Sequence, residues 1–159
     1  MAIRGVFHAV PPHVFGARIR TTDDIARFVR GEHPIRAART LDVADAWACL
    51  GGLCAHFALP RVMGIQSVRG ADCLSTLYVP AYRVPAIAEA LEQVGPGQLA
   101  EGMSALAQHP PADGWAWLQD QRALALQFLQ LKKFYRDCAT DGCDILFVKR
   151  KGAPGPSSD

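Results

Sequence analysis

Half of the 159 residues are hydrophobic and 20% are charged, a composition typical of one globular domain and unlike that of disordered or fibrous chains. The formal net charge is only +2, from 17 basic and 15 acidic residues, which argues against a nucleic-acid partner, since such domains are usually strongly basic. The longest apolar run, Ala46 to Ala55, is half of a membrane span, and no long apolar stretch follows Arg4. We expect a protein that is neither exported nor inserted into a membrane.

The cysteines are odd in number and lack paired CxxC spacing: Cys49, Cys54, Cys73, Cys138 and Cys143. This pattern argues against a disulfide framework and favours reduced thiols in a bacterial cytoplasm. Cys49, Cys54 and His56 come nearest to a metal cluster. On a helix, however, the two cysteines would point about 140° apart, so we predict buried thiols that act as small hydrophobes. We predict no metal and no cofactor.

The first segment predicts a strand. Val6, His8 and Val10 alternate with apolar residues before two prolines that cannot donate to a ladder. Pro12 can then open a short helix over His13–Ile19, because proline is tolerated at a helix's first position.

A complete helix signature comes next. Thr21 to Asp24 supply capping oxygens and negative charge for a helix through Arg30, which Gly31 can end in a left-handed conformation. The polar stretch Glu32–Thr40 predicts a loop or a loose helical turn.

Asp42 is the predicted cap of a third helix, Val43–Phe57, whose residues are nearly all apolar and therefore buried on most sides. Gly51 and Gly52 inside it predict either a kink or a close approach by another backbone, of which close packing is favoured.

The second half begins with an irregular link over Leu59–Cys73 and a predicted strand over Leu74–Val79. Apolar residues at helical spacing from Val84 to Val94 predict a helix, and a Gly-Pro-Gly break separates it from another over Gln98–Gln108. We expect these two helices to pack as neighbours.

Asp113 is the predicted cap of a long helix with apolar residues spaced three and four apart from Trp117 to Cys138. Cys143–Lys149 then predicts a buried strand, and residues 151–159, rich in glycine, proline and serine, predict a disordered tail. The whole predicts one α+β domain over residues 1–150, with several helices packed on a small mixed sheet that includes the N- and C-terminal strands.

Three stretches carry a likeness to a known bacterial family: Leu41-Asp42 followed by Trp47 and Leu50; Tyr78-Val79-Pro80 followed by Val84 and Leu91; and Leu131 to Tyr135 followed by Gly142 and Ile145 to Val148. Over roughly residues 3–150 the chain resembles the YfbM-like family, a domain of unknown function. The resemblance implies the fold and a bacterial cytoplasmic setting, and it leaves the mechanism open. Members often carry an acidic residue directly after the tryptophan and a histidine four residues after it. Here those positions are Ala48 and Gly51, so a polar site built there would be missing.

No glycine-rich phosphate loop and no nucleophile motif is recognisable, and we assign no catalytic residue. The role that we predict is recognition of another protein without catalysis, as by an immunity or antitoxin-like partner. Aromatic residues and arginines are enriched in interface hot spots, so the candidate partner-binding residues are Trp115, Arg18, Arg20, Arg27 and Arg30. Alternatively, Trp115 only covers a core tryptophan, Trp117.

A small enzyme or a small-molecule-binding domain is the alternative function. Its pocket would lie near His8, which could face a cleft from the first strand, near Gly51, and near the loop through Arg69. A buried or surface histidine with a purely structural role is the simpler interpretation of His8.

Overall fold

The computed structural model describes residues 3–59, 62–68 and 75–151. Its elements are β1 (Ile3–Val10), α1 (Thr22–Val29), β2 (Arg39–Ala44), α2 (Trp47–His56), β3 (Gln66–Val68), β4 (Ser75–Val79), a first 3₁₀ turn (Ala81–Arg83), α3 (Val84–Glu92), α4 (Pro96–Gln108), a second 3₁₀ turn (Trp115–Gln119), α5 (Gln121–Asp141) and β5 (Asp144–Lys151).

The strands form one sheet in the order β2-β1-β5-β4-β3, so the N- and C-terminal strands lie side by side at its centre. The predicted α+β class is confirmed. The prediction of a mixed sheet is wrong for the described strands, because every pair in this order is antiparallel.

The two faces of the sheet are covered differently. Phe7 and Ala9 of β1 and Ile145 and Phe147 of β5 face an apolar core formed with α2, α3, α4 and α5. The alternate residues point the other way, because strand side chains alternate between faces. On that second face, Val10 and Leu146 pack with Ile19 and with α1 residues Ile25 and Phe28. We call these the helical face and the α1 face.

Helix α1 follows its predicted signature. The Thr21 hydroxyl accepts a hydrogen bond from the Asp24 backbone N–H at 3.0 Å, and the Asp24 carboxylate accepts from the Thr21 N–H at 3.1 Å. The pKa of Asp24 is lowered by the hydrogen bond that its carboxylate accepts from the Arg20 N–H at 3.0 Å, and next by the one from the Thr21 N–H. Gly31, with φ of +75°, follows the helix as predicted.

The predicted helix over His13–Ile19 is wrong. This segment forms turns, and a single bridge joins Phe15 to Ile19. His13 and Gly16 both have positive φ, of 65° and 85°, which interrupts any right-handed helix.

Asp42 does not cap a helix. It lies in β2, where its carboxylate pairs with Arg4 at 3.0 Å and accepts a hydrogen bond from the Ala44 N–H at 2.8 Å. Helix α2 begins only at Trp47, without a side-chain cap. The strand was not predicted because β2 is an edge strand with a polar, half-exposed sequence.

Gly52 confirms close packing inside α2, although the neighbour is a side chain rather than a backbone. A Cβ atom at Gly52 would lie 2.8 Å from Leu106 Cδ1 on α4, so a larger residue there would force the end of the Leu106 side chain to move. At Gly51 the nearest atom, Met63 Cγ, would be 3.8 Å away, which is an ordinary contact.

Asp113 is not the cap of the long helix. Gly114 has φ of +70° and starts the second 3₁₀ turn instead, and α5 begins at Gln121 with Asp120 accepting from the Ala123 N–H at 3.1 Å. The helices α3 and α4 and the strands β4 and β5 form where predicted, apart from terminal residues. Strand β3 lies inside the predicted irregular link.

The ends of the predicted domain need one correction. Strand β5 runs to Lys151, which the sequence had placed in the tail. The rest of that predicted tail, and also Cys73, Leu74 and Arg69, lie outside the described residues. The division into one domain over 1–150 stays a prediction.

Candidate functional site

His8 is buried on the α1 face, with 4% of its surface exposed. Its ring lies 6.3 Å from that of Phe28, and its Nε2 atom makes no hydrogen bond within the described part of the chain. Burial, together with the positive charge of Arg150, lowers the pKa of His8 to about 4, against a smaller opposing effect of Asp42. The imidazole is therefore neutral at pH 7.

The structure does not bring the proposed pocket residues together. His8 belongs to the α1 face, whereas Gly51 lies on α2, which packs on the helical face through Leu50 and Leu53. The sheet separates them, so they cannot line one pocket. Arg69 is outside the described residues.

The described cysteines are buried, as the sequence predicted for Cys49 and Cys54. Cys49, Cys54, Cys138 and Cys143 are buried and unpaired. Burial raises the pKa of Cys49 to about 11 and that of Cys54 and Cys138 to about 12, so they are unreactive at neutral pH. Within the described ranges, no group of three or more His, Cys, Asp or Glu side chains is arranged to hold a metal ion.

The four candidate arginines lie in α1 or in the residues directly before and after it. Arg27 and Arg30 lie three residues apart on the helix and at its end, and Arg18 and Arg20 lie in the exposed segment before it. Arg30 pairs with Glu32 at 3.1 Å. No hydrogen bond or ion pair of the Arg18 or Arg20 side chains occurs among the described residues.

Trp115 is separated from these arginines. It lies in the second 3₁₀ turn, which packs with α2, α4 and α5 on the helical face, and 53% of its surface is exposed. Its neighbour Trp117 is partly buried and donates from Nε1 to Asp45 at 2.8 Å. The five candidate partner-binding residues therefore occupy two regions, on opposite sides of the sheet.

Two exposed leucines on α5 were missed by the sequence reasoning. Leu126 and Leu129 are 56% and 53% exposed, and they lie three residues apart on the helix, on the side opposite to the buried residues Leu124, Phe128 and Leu131. We call them the α5 apolar patch. A helical projection from the buried positions would have identified both as off the core stripe.

A second missed feature is centred on Asp144, which is 8% exposed. Its Oδ1 atom accepts hydrogen bonds from the Tyr78 hydroxyl at 2.8 Å and from the Ala81 N–H at 2.7 Å. Tyr78 stacks on Phe15 with ring centroids 4.2 Å apart. Burial and the bond to Asp144 raise the pKa of Tyr78. Next to this group, Tyr82 is 80% exposed.

Described residues line two open grooves, among others. One, of about 210 Å³, lies between β2 and α5 beside Arg39 and Lys133, whose charges are neutralised by Asp137 and Asp141. The other, of about 450 Å³, is lined by residues from the end of α2, from α3 and from the start of α4: Phe57, Ala58, Leu59, Ala90, Gln93, Val94 and Gln98.

An antiparallel sheet with four helices on one face and one on the other defines the chain as an α+β protein. The same fold occurs in a crystal structure of YfbM from Escherichia coli, a protein of unknown function, which matches 92% of this chain and 99% of its own with a TM-score of 0.58. The identity is 16%, so this likeness shows the fold alone. No family model and no curated protein matches the chain.

The described residues form five α-helices, α1 to α5. None of them combines the length and the apolar character that crossing a bilayer needs.

Proposed function

We propose that this chain is a protein-binding module without catalytic activity, of the kind that blocks another protein as an immunity or antitoxin-like partner does. It acts in a bacterial cytoplasm, a setting supported by four buried, unpaired cysteines. Residues 1–40 hold seven basic and three acidic residues, whereas residues 41–122 hold four basic and eight acidic residues. These basic and acidic segments favour a partner with complementary charge.

The observation that carries this proposal is the location of the exposed large hydrophobic side chains. Among the described residues there are four, and three of them, Trp115, Leu126 and Leu129, fall within fifteen positions of each other, in the second 3₁₀ turn and α5. Burying such side chains against a partner removes apolar area from water, and aromatic anchors are enriched in hot spots.

The titratable groups support a role without chemistry. The thiols have raised pKa values, and the pKa of His8 is low because the ring is buried. The Asp137 carboxylate is bound by Lys133 and Arg39, which lowers its pKa. Each group is thus committed to a packed or paired state rather than poised for proton transfer.

The test uses the tagged protein in quantitative affinity capture from its host. We expect a stoichiometric protein partner that the double variant Leu126→Ser/Leu129→Ser loses at least in part, because both side chains are exposed and their removal does not open the core. The control variant Glu101→Ser/Gln108→Ser changes two exposed residues on α4. Equal recovery with both variants would rule out the α5 apolar patch, and no partner at low salt would contradict the proposal.

Small-molecule binding remains the second candidate, at a different place from the one that the sequence indicated. The 450 Å³ groove is within the range of about 300–1,000 Å³ for ligand pockets and combines apolar side chains with Gln93 and Gln98. A thermal-shift screen of metals, nucleotides and metabolites tests it, since a ligand that binds the native state raises Tm. A hit must weaken in Gln93→Trp, which places a large side chain at the groove from an exposed position. A flat screen would contradict this candidate.

A further inference from the structure

We infer that Tyr82, Arg83, Arg18 and Arg20 form a second binding surface, on which an acidic segment of a partner protein docks. This inference rests on the proposed protein-binding function but concerns a different surface from the α5 apolar patch. We call these four residues the Tyr82 surface.

The surface is held by one buried anchor. The first 3₁₀ turn, which carries Tyr82 and Arg83, is fixed at its start by the Ala81 N–H bond to Asp144 and at its end by the fully buried Val84. Tyr82 is therefore an exposed aromatic side chain on a rigid backbone. Such a group loses little conformational entropy on binding, which is why aromatic residues serve as anchors in interfaces.

The arginine segment is fixed to the same anchor. Tyr78, which donates to Asp144, stacks on Phe15, and the tight turn after Phe15 returns to Ile19, 1% exposed in the α1-face cluster. Arg18 and Arg20 flank Ile19 and are both exposed. Phe15, three residues before Arg18, and Ala81, next to Tyr82, are thus both connected to the Tyr78–Asp144 pair.

The three arginine side chains of the surface lack a carboxylate partner among the described residues, although the Asp24 carboxylate accepts from the Arg20 backbone N–H at 3.0 Å. Over the described ranges, the side chains of Arg18, Arg20 and Arg83 form no ion pair with a carboxylate, whereas Arg4, Arg30, Arg39 and Arg136 each do. The Arg83 guanidinium lies 5.9 Å from the centre of the Tyr82 ring, so cation and aromatic ring are presented together. The arginines complement carboxylates on a partner, and the exposed ring adds apolar contact area.

An acidic protein fits this surface better than a nucleic acid. Phosphate-dependent binding gains its affinity from roughly 6–10 cationic contacts, and only three free arginines are present on this surface. The exposed tyrosine adds a contact that an apolar residue within an acidic segment can use.

The experiment measures fluorescence anisotropy of a labelled oligoglutamate peptide at low salt, on the full chain. We expect binding that weakens roughly tenfold in Arg18→Ser/Arg83→Ser and much less in Arg36→Ser/Arg122→Ser, which removes the same charge from exposed arginines elsewhere. A second peptide has a leucine within the glutamates. Its added affinity should be lost in Tyr82→Ala. All variants change exposed residues, and circular dichroism confirms their folding.

Three results would overturn the inference. Equal weakening by the two arginine double variants would show an effect of net charge alone. Tighter binding of labelled oligothymidylate, with the same dependence on Arg18 and Arg83, would assign the surface to nucleic acid. If neither glutamate peptide binds, the inference of an acidic partner is wrong. The proposal for the α5 apolar patch is unaffected by this result, because affinity capture tests it separately.

Discussion

Helices α2 to α5 cover one face of the sheet with a continuous apolar core, whereas α1 and the segment before it cover the other face with a smaller cluster. All four buried polar residues of the described chain belong to the α1 side: His8, His33, Thr76 and Asp144. Of these, Asp144 is held by two hydrogen bonds, and the Nδ1 atom of His33 accepts one from the Ile35 N–H at 3.0 Å.

This difference predicts that the two faces respond differently to mutation and to pH. An apolar core loses stability when volume is removed, and it has little dependence on pH. A face with buried polar groups depends on hydrogen bonds and protonation, because a buried polar group without a partner is costly. The Tyr82 surface is anchored on the second kind of face, and the α5 apolar patch lies on the outside of the first.

The largest expected effect is on the free energy of unfolding, and it is tested by truncating one phenylalanine on each face of the sheet. Phe128→Ala opens a cavity in the helical face, where Phe128 packs against Phe57 with ring centroids 6.0 Å apart, and should cost about 3–5 kcal/mol. Phe28→Ala should cost less, about 3 kcal/mol at most, because the smaller cluster beside α1 can collapse. Urea unfolding measures both. A larger loss for Phe28→Ala would reverse the comparison.

The next largest effect is the pH dependence that His8 gives to the free energy of unfolding. Its native pKa of about 4 is below the unfolded value of 6.5, so the unfolded state binds more protons between these pH values. The contribution of His8 to the free energy of unfolding is fully present above pH 6.5 and is lost as the pH decreases to 4. Between pH 7 and pH 5 the loss is about 2 kcal/mol. Urea titrations at several pH values measure this slope.

The control for His8 is His8→Leu, which should remove that slope. Phe28→Ala should also reduce it, because water then reaches the imidazole and the burial that lowers the pKa of His8 is lost. An unchanged slope in His8→Leu would assign the pH dependence to other groups.

Tyr78→Phe tests the anchor of the Tyr82 surface. It retains the stack on Phe15 and removes only the hydroxyl that donates to Asp144, so we expect a loss of about 1.5 kcal/mol, as for a hydrogen bond to a charged group. Hydrogen exchange should increase at the Ala81 amide. If exchange there does not change, the anchor is not what fixes the first 3₁₀ turn.

The smallest expected effect is at the cap of α1. Thr21→Ala removes the hydroxyl that accepts from the Asp24 N–H and should cost about 1 kcal/mol. Thr21→Ser, which retains a hydroxyl, is the matched control and should be nearly neutral. Equal losses in thermal unfolding would show that the side-chain cap does not stabilise this helix.

Local signals in the sequence were sufficient to predict most of the helices and strands. The α1 cap, the apolar runs of β1 and β5 and the helical spacing in α3 and α4 were each predictable, because hydrophobic period and capping chemistry act within a few residues. The same reasoning predicted that Cys49 and Cys54 would be buried hydrophobes, which the structure confirms.

The errors came where a distant residue decides the local structure. Asp42 has the chemistry of a helix cap, but pairing of its strand with β1 and the contact with Arg4 place it in β2. Asp113 likewise has cap chemistry, but Gly114 turns the chain there with a positive φ, at a place where a Cβ atom would collide with the Asp45 carbonyl oxygen. No spacing along the chain reports either contact.

The candidate sites depended even more on tertiary structure. Composition identified aromatic residues and arginines as binding groups, but only the sheet shows that Trp115 and the α1 arginines lie on opposite sides of it. Tyr82 becomes part of a surface because the Tyr78–Asp144 hydrogen bond joins residues 66 positions apart. The sequence by itself determined the α+β class, most of the helices and the character of the core, and tertiary contacts decided which polar and aromatic residues meet.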